Sequence, residues 1–280
     1  DATNHARDSI AISGDGKTYA IRYNTSKLLY VYKDFGDGNG YTKIVDEFPF
    51  RSTYLECQVK LNYDGTKMLL TNAYHMHPYG GYVSGGIAII LEYDPTKTSS
   101  ESDFTHSSGI LPADYGPENW KIMGNAIFGP ESSNLGDCNA NKNEHVSMSD
   151  DGLTIAFGSY IYTWDGAAWV LKGYAINPPS SISSFGKYLS LSGDGDSIVV
   201  GCESEKHFVF KYNSSNTTWE QQGGYIDIKS GSSNIQRGQA INTDGTVIAI
   251  GDEKDNENIK IFDRNPSETA VNNDGWTQRG

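Results

Sequence analysis

The sequence predicts an all-β protein, a β-propeller of about five four-stranded antiparallel blades. An Asp-Gly pair recurs five times along the 280 residues, each time between an alternating stretch and an apolar one. The pairs begin at Asp15, Asp64, Asp151, Asp194 and Asp244. No segment keeps the 3.6-residue apolar stripe of an amphipathic helix for more than about two turns. Self-similarity at such a period is typical of proteins that stack one supersecondary unit.

The spacing of the pairs defines five repeat units within one predicted domain, residues 1–280. Successive pairs lie 49, 87, 43 and 50 residues apart. The long interval contains two inserts, residues 73–86 and 94–119, and without these 40 residues it shortens to 47. The units are approximately 1–50, 51–129, 130–178, 179–229 and 230–280.

Each unit is predicted to hold four strands, a to d. Strand a alternates, as in Leu189–Ser192, and the Asp-Gly pair closes a tight hairpin because Gly and Asp tolerate positive φ. Strand b is apolar and covers 19–21, 68–70, 155–157, 198–200 and 247–250. Strand c is aromatic and β-branched and covers 29–32, 87–91, 160–164, 208–212 and 259–262. Strand d begins with a Trp that is followed four residues later by Gly, at Trp120, Trp169, Trp219 and Trp276, whereas Tyr41 takes this place in the first unit without the Gly.

A propeller is favoured over a β-sandwich because a sandwich would not repeat one four-strand unit five times. A lone meander leaves exposed edges and buries little, and stacking the sheets around an axis removes both problems. Five units lie within the usual range of about 4–8 blades. Two alternatives stay open: a closed five-blade ring, or a polypeptide that continues past Gly280 into further blades or a stalk.

Charge and composition restrict the partners. With 22 Lys and Arg against 35 Asp and Glu, the net charge is −13, which argues against nucleic acid and anionic membranes as partners. Apolar runs of about five residues are too short for a membrane span. Protein partners or self-association, and glycans as a further option, are therefore expected. No cofactor is predicted.

Sequons and cysteines suggest an extracellular or cell-surface protein. Glycosylation acceptors occur at Asn24, Asn213 and Asn216, in predicted loops or strand ends. Cys57 and Cys138 fall near the starts of successive a strands and form a candidate disulfide, which leaves Cys202 free or intermolecular.

The repeat resembles the FG-GAP-like, Asp-Gly/Trp propeller repeats of integrin-α-like heads and of secreted or surface proteins. The resemblance is carried by the fourth unit, in Phe185-Gly186, Leu189–Ser192, Asp194-Gly195, Ile198–Gly201, Phe208–Tyr212 and Trp219 to Gly223. It implies a propeller fold and a tendency towards adhesion, but no chemistry. The turns lack the carboxylate series that holds calcium in integrin-like repeats, so metal-free blades are expected.

Two regions offer candidate sites. The starts of the a strands surround the axis on one face, at Asp8, Cys57, Glu144, Lys187 and Arg237. Asp8 and Glu144 would be the carboxylate pair of a glycosidase, and a self-neutralising ring of charges is the alternative. The insert 73–86 offers Tyr74, His75, His77, Tyr79 and Tyr82 for a sugar or peptide partner, and the alternative is a Tyr- and Gly-rich loop that packs over its own blade or against a neighbouring chain. His75 and His77 would point to opposite sides, which disfavours a shared metal. The second insert, residues 94–119, is by default a solvated loop, and the alternative is that Ile110–Pro112 and Tyr115 dock on a partner subunit.

Three functions follow from these observations. The favoured one is a non-catalytic extracellular structural or adhesive module, a glycosylated subunit of a surface assembly or filament. The alternatives are a glycan-binding lectin that uses residues 73–86 and a propeller glycosidase that uses Asp8 and Glu144. The favoured function predicts that the protein is not an enzyme.

Overall fold

The computed structural model of the chain is all-β, and no helix occurs among the residues that it describes. These are residues 9–23, 26, 28–49, 57–72, 75–76, 82–83, 87–101, 114–128, 146–177, 182, 185–186, 188–202, 206–228, 238–252, 258–269 and 274–280.

Five four-stranded antiparallel sheets follow one another along the chain, each within one of the five predicted repeat units. Sheet 1 consists of β1 (Ser9–Ile12), β2 (Thr18–Tyr23), β3 (Leu28–Asp34) and β4 (Tyr41–Pro49). Sheet 2 consists of β5 (Cys57–Leu61), β6 (Lys67–Asn72), β9 (Ile87–Tyr93) and β10 (Trp120–Ile122), and β11 (Ile127–Phe128) also pairs with β9. The first insert adds a two-stranded sheet of β7 (His75–Met76) and β8 (Tyr82–Val83).

The last three sheets repeat this order. Sheet 3 consists of β12 (Val146–Met148), β13 (Thr154–Phe157), β14 (Tyr160–Trp164) and β15 (Trp169–Leu171). Sheet 4 consists of β16 (Tyr188–Leu191), β17 (Ser197–Gly201), β18 (Lys206–Asn213) and β19 (Thr218–Gln221), and β20 (Ile226–Asp227) also pairs with β18. Sheet 5 consists of β21 (Gln239–Ile241), β22 (Val247–Asp252), β23 (Asn258–Arg264) and β24 (Trp276–Gln278). The predicted propeller of five four-stranded blades is confirmed.

The chain divides into two compact units. The first contains sheets 1 and 2 together with Trp164–Trp169, and the second contains Lys142–Thr163 and Val170–Gly280. In the first unit, one face of sheet 1 shares a core with sheet 2. The residues of sheet 1 in this core include Ala11, Ala20, Leu29 and Val31, and those of sheet 2 include Val59, Met68 and Leu70.

Sheet 4 of the second unit buries both faces, because successive side chains of a strand point to opposite sides. Leu189, Leu191, Ile198, Val200, Phe208 and Phe210 pack with Ala156 and Ile161 of sheet 3. Val199 and Val209 pack with Ile248, Ile250 and Phe262 of sheet 5. In the sequence, strands with apolar residues on both faces indicate a blade that is covered on both sides.

The Asp-Gly turns work as predicted and are reinforced by a Ser or Asn two residues earlier. In the first turn, the hydroxyl of Ser13 donates to Oδ1 of Asp15 at 2.6 Å, and the same oxygen accepts the N–H of Lys17 at 2.9 Å. Ser13 Oγ also accepts the N–H of Thr18 at 2.9 Å. Gly16 takes φ +70°, a left-handed conformation that few other residues adopt.

The Trp and Gly of strand d form one contact between successive blades. In the first unit, Trp169 Nε1 donates to the Met123 carbonyl at 2.8 Å. In the second unit, Trp219 Nε1 donates to the Lys172 carbonyl at 2.6 Å, and Trp276 Nε1 donates to the Gln222 carbonyl at 2.9 Å. Each accepting carbonyl immediately precedes the repeat's Gly, which turns the chain at φ +75° in Gly124 and +78° in Gly173 and Gly223.

The first repeat lacks this Gly, and the consequence is visible in the next blade. Val45 occupies the position, and β4 runs on as a nine-residue strand instead of turning. Trp120 of sheet 2 is fully buried, yet its Nε1 has no hydrogen-bond partner. The donor is left unsatisfied because the turn that would present a carbonyl to it is missing.

One expectation about the second insert is wrong. Tyr115 is buried in the core of the first unit, where its ring lies edge-on to Phe48 at 6.1 Å between centroids. It therefore cannot dock on a partner subunit. Residues Ile110–Pro112 lie outside the described part of the chain.

Candidate functional site

Most of the residues proposed from the sequence fall outside the described part of the chain. These are Asp8, Asn24, Tyr74, His77, Tyr79, Cys138, Glu144, Lys187 and Arg237. His75 belongs to β7 and Tyr82 to β8, and their backbones pair with Val83 and Met76, respectively. Cys57 begins β5. The binding role of the insert, the disulfide and the Asp8/Glu144 pair therefore remain predictions.

Two of the three sequons lie in the hairpin between β18 and β19. Nδ2 of Asn213 and Nδ2 of Asn216 both donate to Oε1 of Glu220, at 2.8 and 2.9 Å. Asn216 is exposed, whereas Asn213 is half-buried. Glycosylation at either residue remains a prediction.

Buried polar side chains occur in sheets 1, 2 and 4 at the end of the blade where strand a starts and strand b ends. The position seven residues after the Asp of the Asp-Gly pair is polar or Gly in every repeat: Arg22, Thr71, Gly158, Gly201 and Gly251. Arg22 is buried in the first unit and donates through Nη1 to the Tyr23 carbonyl. In sheet 2, Gln58 lies directly opposite Thr71, and their side-chain oxygens Oε1 and Oγ1 are buried without a partner.

In the second unit this end of the blade holds a histidine, a glutamine and a glycine. His207 is the second residue of β18, is 1% exposed and lies directly across the sheet from Gly201. Gln239, the first residue of β21, reaches over from sheet 5. Its Oε1 lies 2.6 Å from Nδ1 of His207, and its Nε2 donates to the Val199 carbonyl at 2.8 Å.

Gly201 creates the space for this contact. A Cβ atom at position 201 would lie 2.9 Å from Oε1 of Gln239 and 3.1 Å from Nδ1 of His207. A side chain there would push the two groups apart. Gly at position 201, the end of β17, is therefore required by the close approach of His207 and Gln239 and not by a turn.

The hydrogen bonds define the tautomer of His207. Because the amide nitrogen of Gln239 donates to Val199, its oxygen must be the atom that faces the imidazole, and this oxygen can only accept. Nδ1 of His207 therefore carries the proton, and in the neutral ring Nε2 is the basic nitrogen. The orientation of the buried imidazole is therefore held by an amide from the next blade.

The neighbouring cysteine takes no part in this arrangement. Cys202 is buried, and its Sγ donates to the Lys206 carbonyl at 3.2 Å. Cys202 is not in a disulfide within the described part of the chain, and whether it is free or bonded to another chain remains a prediction.

Within the described ranges, no group of three or more His, Cys, Asp or Glu side chains is placed to hold a metal ion. Nor does any helix of that part of the chain have the length and apolarity to cross a membrane.

Comparison with known proteins relates the chain to solved propeller structures. No family model matches the sequence, and a search of curated proteins found no similar one. A protein from Lactobacillus plantarum is 12% identical, with a TM-score of 0.54, over 96% of this chain and 70% of that one. A "putative 6-phosphogluconolactonase" from Bacteroides uniformis is 17% identical, with a TM-score of 0.56, over 97% of this chain and 70% of that one. The periplasmic gluconolactonase of Pseudomonas aeruginosa is more distant, at 12% identity and a TM-score of 0.46, over 98% of this chain and 84% of that one.

These neighbours correct the functional prediction. The expectation of a non-catalytic structural or adhesive module, and with it the expectation that the protein is not an enzyme, is contradicted by the Bacteroides neighbour, which is named a "putative 6-phosphogluconolactonase". A propeller scaffold by itself is compatible with many functions, so a repeat shared with surface proteins does not establish a structural or adhesive role.

Proposed function

We propose that the protein is a hydrolase that opens sugar-derived lactones, with His207 as its general base. The observation that carries the proposal is the hydrogen-bonded pair of His207 and Gln239, which leaves Nε2 as the basic nitrogen at the end of the blade where strand a starts. The name of the Bacteroides neighbour supplies the substrate class, an aldonolactone with or without a phosphate group.

The chemistry needs one well-placed base. Nε2 of His207 removes a proton from water while the water oxygen bonds to the lactone carbonyl carbon, whose π electrons move to the carbonyl oxygen. The tetrahedral intermediate then collapses, the bond between the carbonyl carbon and the ring oxygen breaks, and the imidazolium returns its proton to that ring oxygen. The product is the open-chain hydroxy acid, and the neutral imidazole is restored.

Gln239 is a positioning residue in this scheme. It holds the imidazole in the Nδ1–H tautomer, but as a neutral amide it stabilises the imidazolium less than a carboxylate would. His207 is covered, so the proposal requires that the substrate gain access to Nε2 on binding, which an activity assay tests directly.

The test is ring opening of glucono-δ-lactone and of 6-phosphogluconolactone by the purified chain, followed in a pH-stat against the buffer rate. We expect His207→Ala to lower kcat by about 10²–10⁴-fold, the usual contribution of a general base. Cys202→Ala, at the same end of the same blade, should leave kcat unchanged. Absence of activity above buffer on both lactones, or full activity in His207→Ala, would refute the proposal.

A second variant separates positioning from folding. Gln239→Glu places a carboxylate beside Nδ1, which stabilises the imidazolium and raises the pKa of His207. The acidic limb of the pH–rate profile should therefore move to higher pH. A role of Gln239 in folding alone would change the amount of active protein and leave the pH profile where it was.

The FG-GAP-like relationship and the extracellular location remain part of this proposal. Their support is the repeat itself and the sequons, of which Asn216 is exposed. Secretion from a eukaryotic host followed by peptide mass analysis should find glycan on Asn213 or Asn216. Unmodified peptides at both positions would count against an extracellular glycoprotein.

A further inference from the structure

The hairpin loop between β3 and β4 carries the single Asn-Gly pair of the sequence, Asn39-Gly40. The loop reads Phe-Gly-Asp-Gly-Asn-Gly over residues 35–40, and all six residues are exposed. In an Asn-Gly pair the backbone nitrogen of the Gly can reach the side-chain amide carbon of the Asn, because the Gly has no side chain that stands in the way.

The hydrogen bonds of Asn39 connect it to a neighbour in the same loop. Its backbone N–H donates to Oδ1 of Asp37 at 2.9 Å, and its Nδ2 donates to Oδ2 of the same carboxylate at 3.0 Å. Both bonds are exposed, so breaking them costs little free energy. Gly40 has φ +76°, and nothing lies within 4 Å of its Cβ position. The backbone nitrogen of Gly40 and Cγ of Asn39 can therefore meet by motion of this loop, without the unfolding of a strand.

The Asp-Gly pair of the fourth repeat is capable of the same ring closure, but the structure holds it fixed. Gly195 is buried, and its N–H, the nucleophile of the reaction, donates to the Ser192 carbonyl at 2.9 Å. Oδ1 of Asp194 accepts the hydroxyl of Ser192 at 2.5 Å and the N–H of Asp196 at 2.9 Å. A Cβ atom at Gly195 would lie 2.8 Å from Thr154 of sheet 3. Ring closure at this turn therefore requires that the turn leave its contact with the neighbouring blade.

We propose that Asn39 is a site of spontaneous deamidation in the folded protein. The backbone nitrogen of Gly40 bonds to Cγ of Asn39, the bond between Cγ and Nδ2 breaks, and the proton of the Gly40 nitrogen leaves with Nδ2 as ammonia. The resulting succinimide takes up one water molecule, which opens the ring at either carbonyl and gives isoaspartate or aspartate. The net reaction is hydrolysis of the side-chain amide, and its only co-reactant is water.

The reaction changes both the charge of the protein and the hairpin. Each conversion adds one negative charge, which takes the net charge from −13 to −14. A carboxylate at position 39 cannot donate to Asp37 as the amide does, and it places a second negative charge beside that residue. In the isoaspartate product the backbone gains one carbon atom directly before Gly40. Because Tyr41 follows, we expect the pair Asp34 and Tyr41, which closes the hairpin, to loosen.

The experiment incubates the 280-residue chain, made in a bacterial host so that Asn216 carries no glycan, in ¹⁸O-labelled water at mildly alkaline pH. Folded protein and protein unfolded in guanidinium chloride are compared by peptide mass mapping, with isoaspartate and aspartate separated by chromatography. Folding should slow the conversion of Asn39 by less than about tenfold, because opening an exposed loop costs little free energy. Folding should slow the isomerisation of Asp194 by at least about 10³-fold, because its turn opens only with much of the blade.

One variant and one internal control accompany this comparison. Asn39→Gln should show no conversion at position 39, because a glutamine has to close a larger ring. Asn216 is also exposed in a hairpin, the one between β18 and β19, but the branched Thr217 follows it, so it should stay unmodified in the folded protein over the same period.

Three outcomes would overturn the proposal. One is a slowing of Asn39 by folding that exceeds about tenfold, because the loop would then protect the pair. Another is a conversion of Asn216 in the folded protein as fast as that of Asn39, since the Gly would then have no special role. The third is formation of aspartate without isoaspartate, which would indicate direct hydrolysis of the amide and not ring closure.

Discussion

The contact between the strand-d Trp and the Gly of the preceding blade makes a quantitative prediction at Gly223. Gly223→Ala should destabilise the protein far more than Gly16→Ala, although both glycines have nearly the same φ, +78° and +70°. A Cβ atom at position 16 has nothing within 4 Å, whereas at position 223 it would lie 2.1 Å from the backbone carbonyl oxygen of Asp274. The two substitutions therefore share the cost of the left-handed backbone and differ in packing.

The magnitudes follow from these two contributions. The left-handed conformation costs an L-residue about 1–2 kcal/mol, and a lower entropy of the unfolded chain offsets about 0.4–1 kcal/mol, so Gly16→Ala should lose about 1 kcal/mol. Overpacking adds about 1–3 kcal/mol, because a backbone atom must move to make room. The total for Gly223→Ala is about 2–4 kcal/mol.

Urea unfolding at 25 °C, followed by Trp fluorescence and circular dichroism, measures the difference. With a slope of about 2–3 kcal/mol/M, the midpoint of Gly223→Ala should lie roughly 1 M below that of the wild type, and that of Gly16→Ala within about 0.5 M of it. Equal midpoints for the two variants would refute the idea that the repeat's Gly is required by contact with the next blade.

Two further predictions concern the indole donors and the turns. Trp276→Phe removes the hydrogen bond to Gln222 and should cost about 1–2 kcal/mol more in urea unfolding than Trp120→Phe, whose equally buried indole has no partner to lose. The Thr246 hydroxyl and N–H donate to the carboxylate of Asp244 and hold its pKa below the ordinary value. A carboxyl group whose pKa is lowered in the folded state contributes stability above its unfolded pKa, which is lost as the pH falls through the folded pKa. The urea concentration at the unfolding midpoint should therefore decrease as the pH is lowered below about 4, and it should decrease less steeply in Asp244→Asn than in the wild type. Parallel plots of this midpoint against pH for the two proteins would contradict the assignment.

The strands and turns were predictable because their signals are local. Period-2 alternation, the Asp-Gly pair and the aromatic strand c each act within a few residues, and the repetition of the pattern five times removed the ambiguity of any single copy. Even the unpaired indole of Trp120 could have been foreseen, since the first repeat visibly lacks the Gly that the others have.

The candidate site was not predictable in the same way because it joins side chains from two sheets. His207 and Gln239 lie 32 residues apart, and nothing in the pattern around either residue states that they meet. The starts of the a strands were predicted to carry a pair of carboxylates, Asp8 and Glu144, whereas the proposed base His207 is a histidine at the end of its blade where strand a starts. The available signal was Gly201, since a Gly that ends an otherwise apolar strand indicates that another group approaches closely.

The tautomer of His207 is the point on which the proposed chemistry depends, and ¹⁵N NMR of histidine-labelled protein observes it directly. We predict a protonated Nδ1 and an unprotonated Nε2 in the neutral ring, with the two ¹⁵N shifts reversing their order or converging in Gln239→Leu. A neutral ring with the proton on Nε2 would leave no base at the proposed position and would contradict the account.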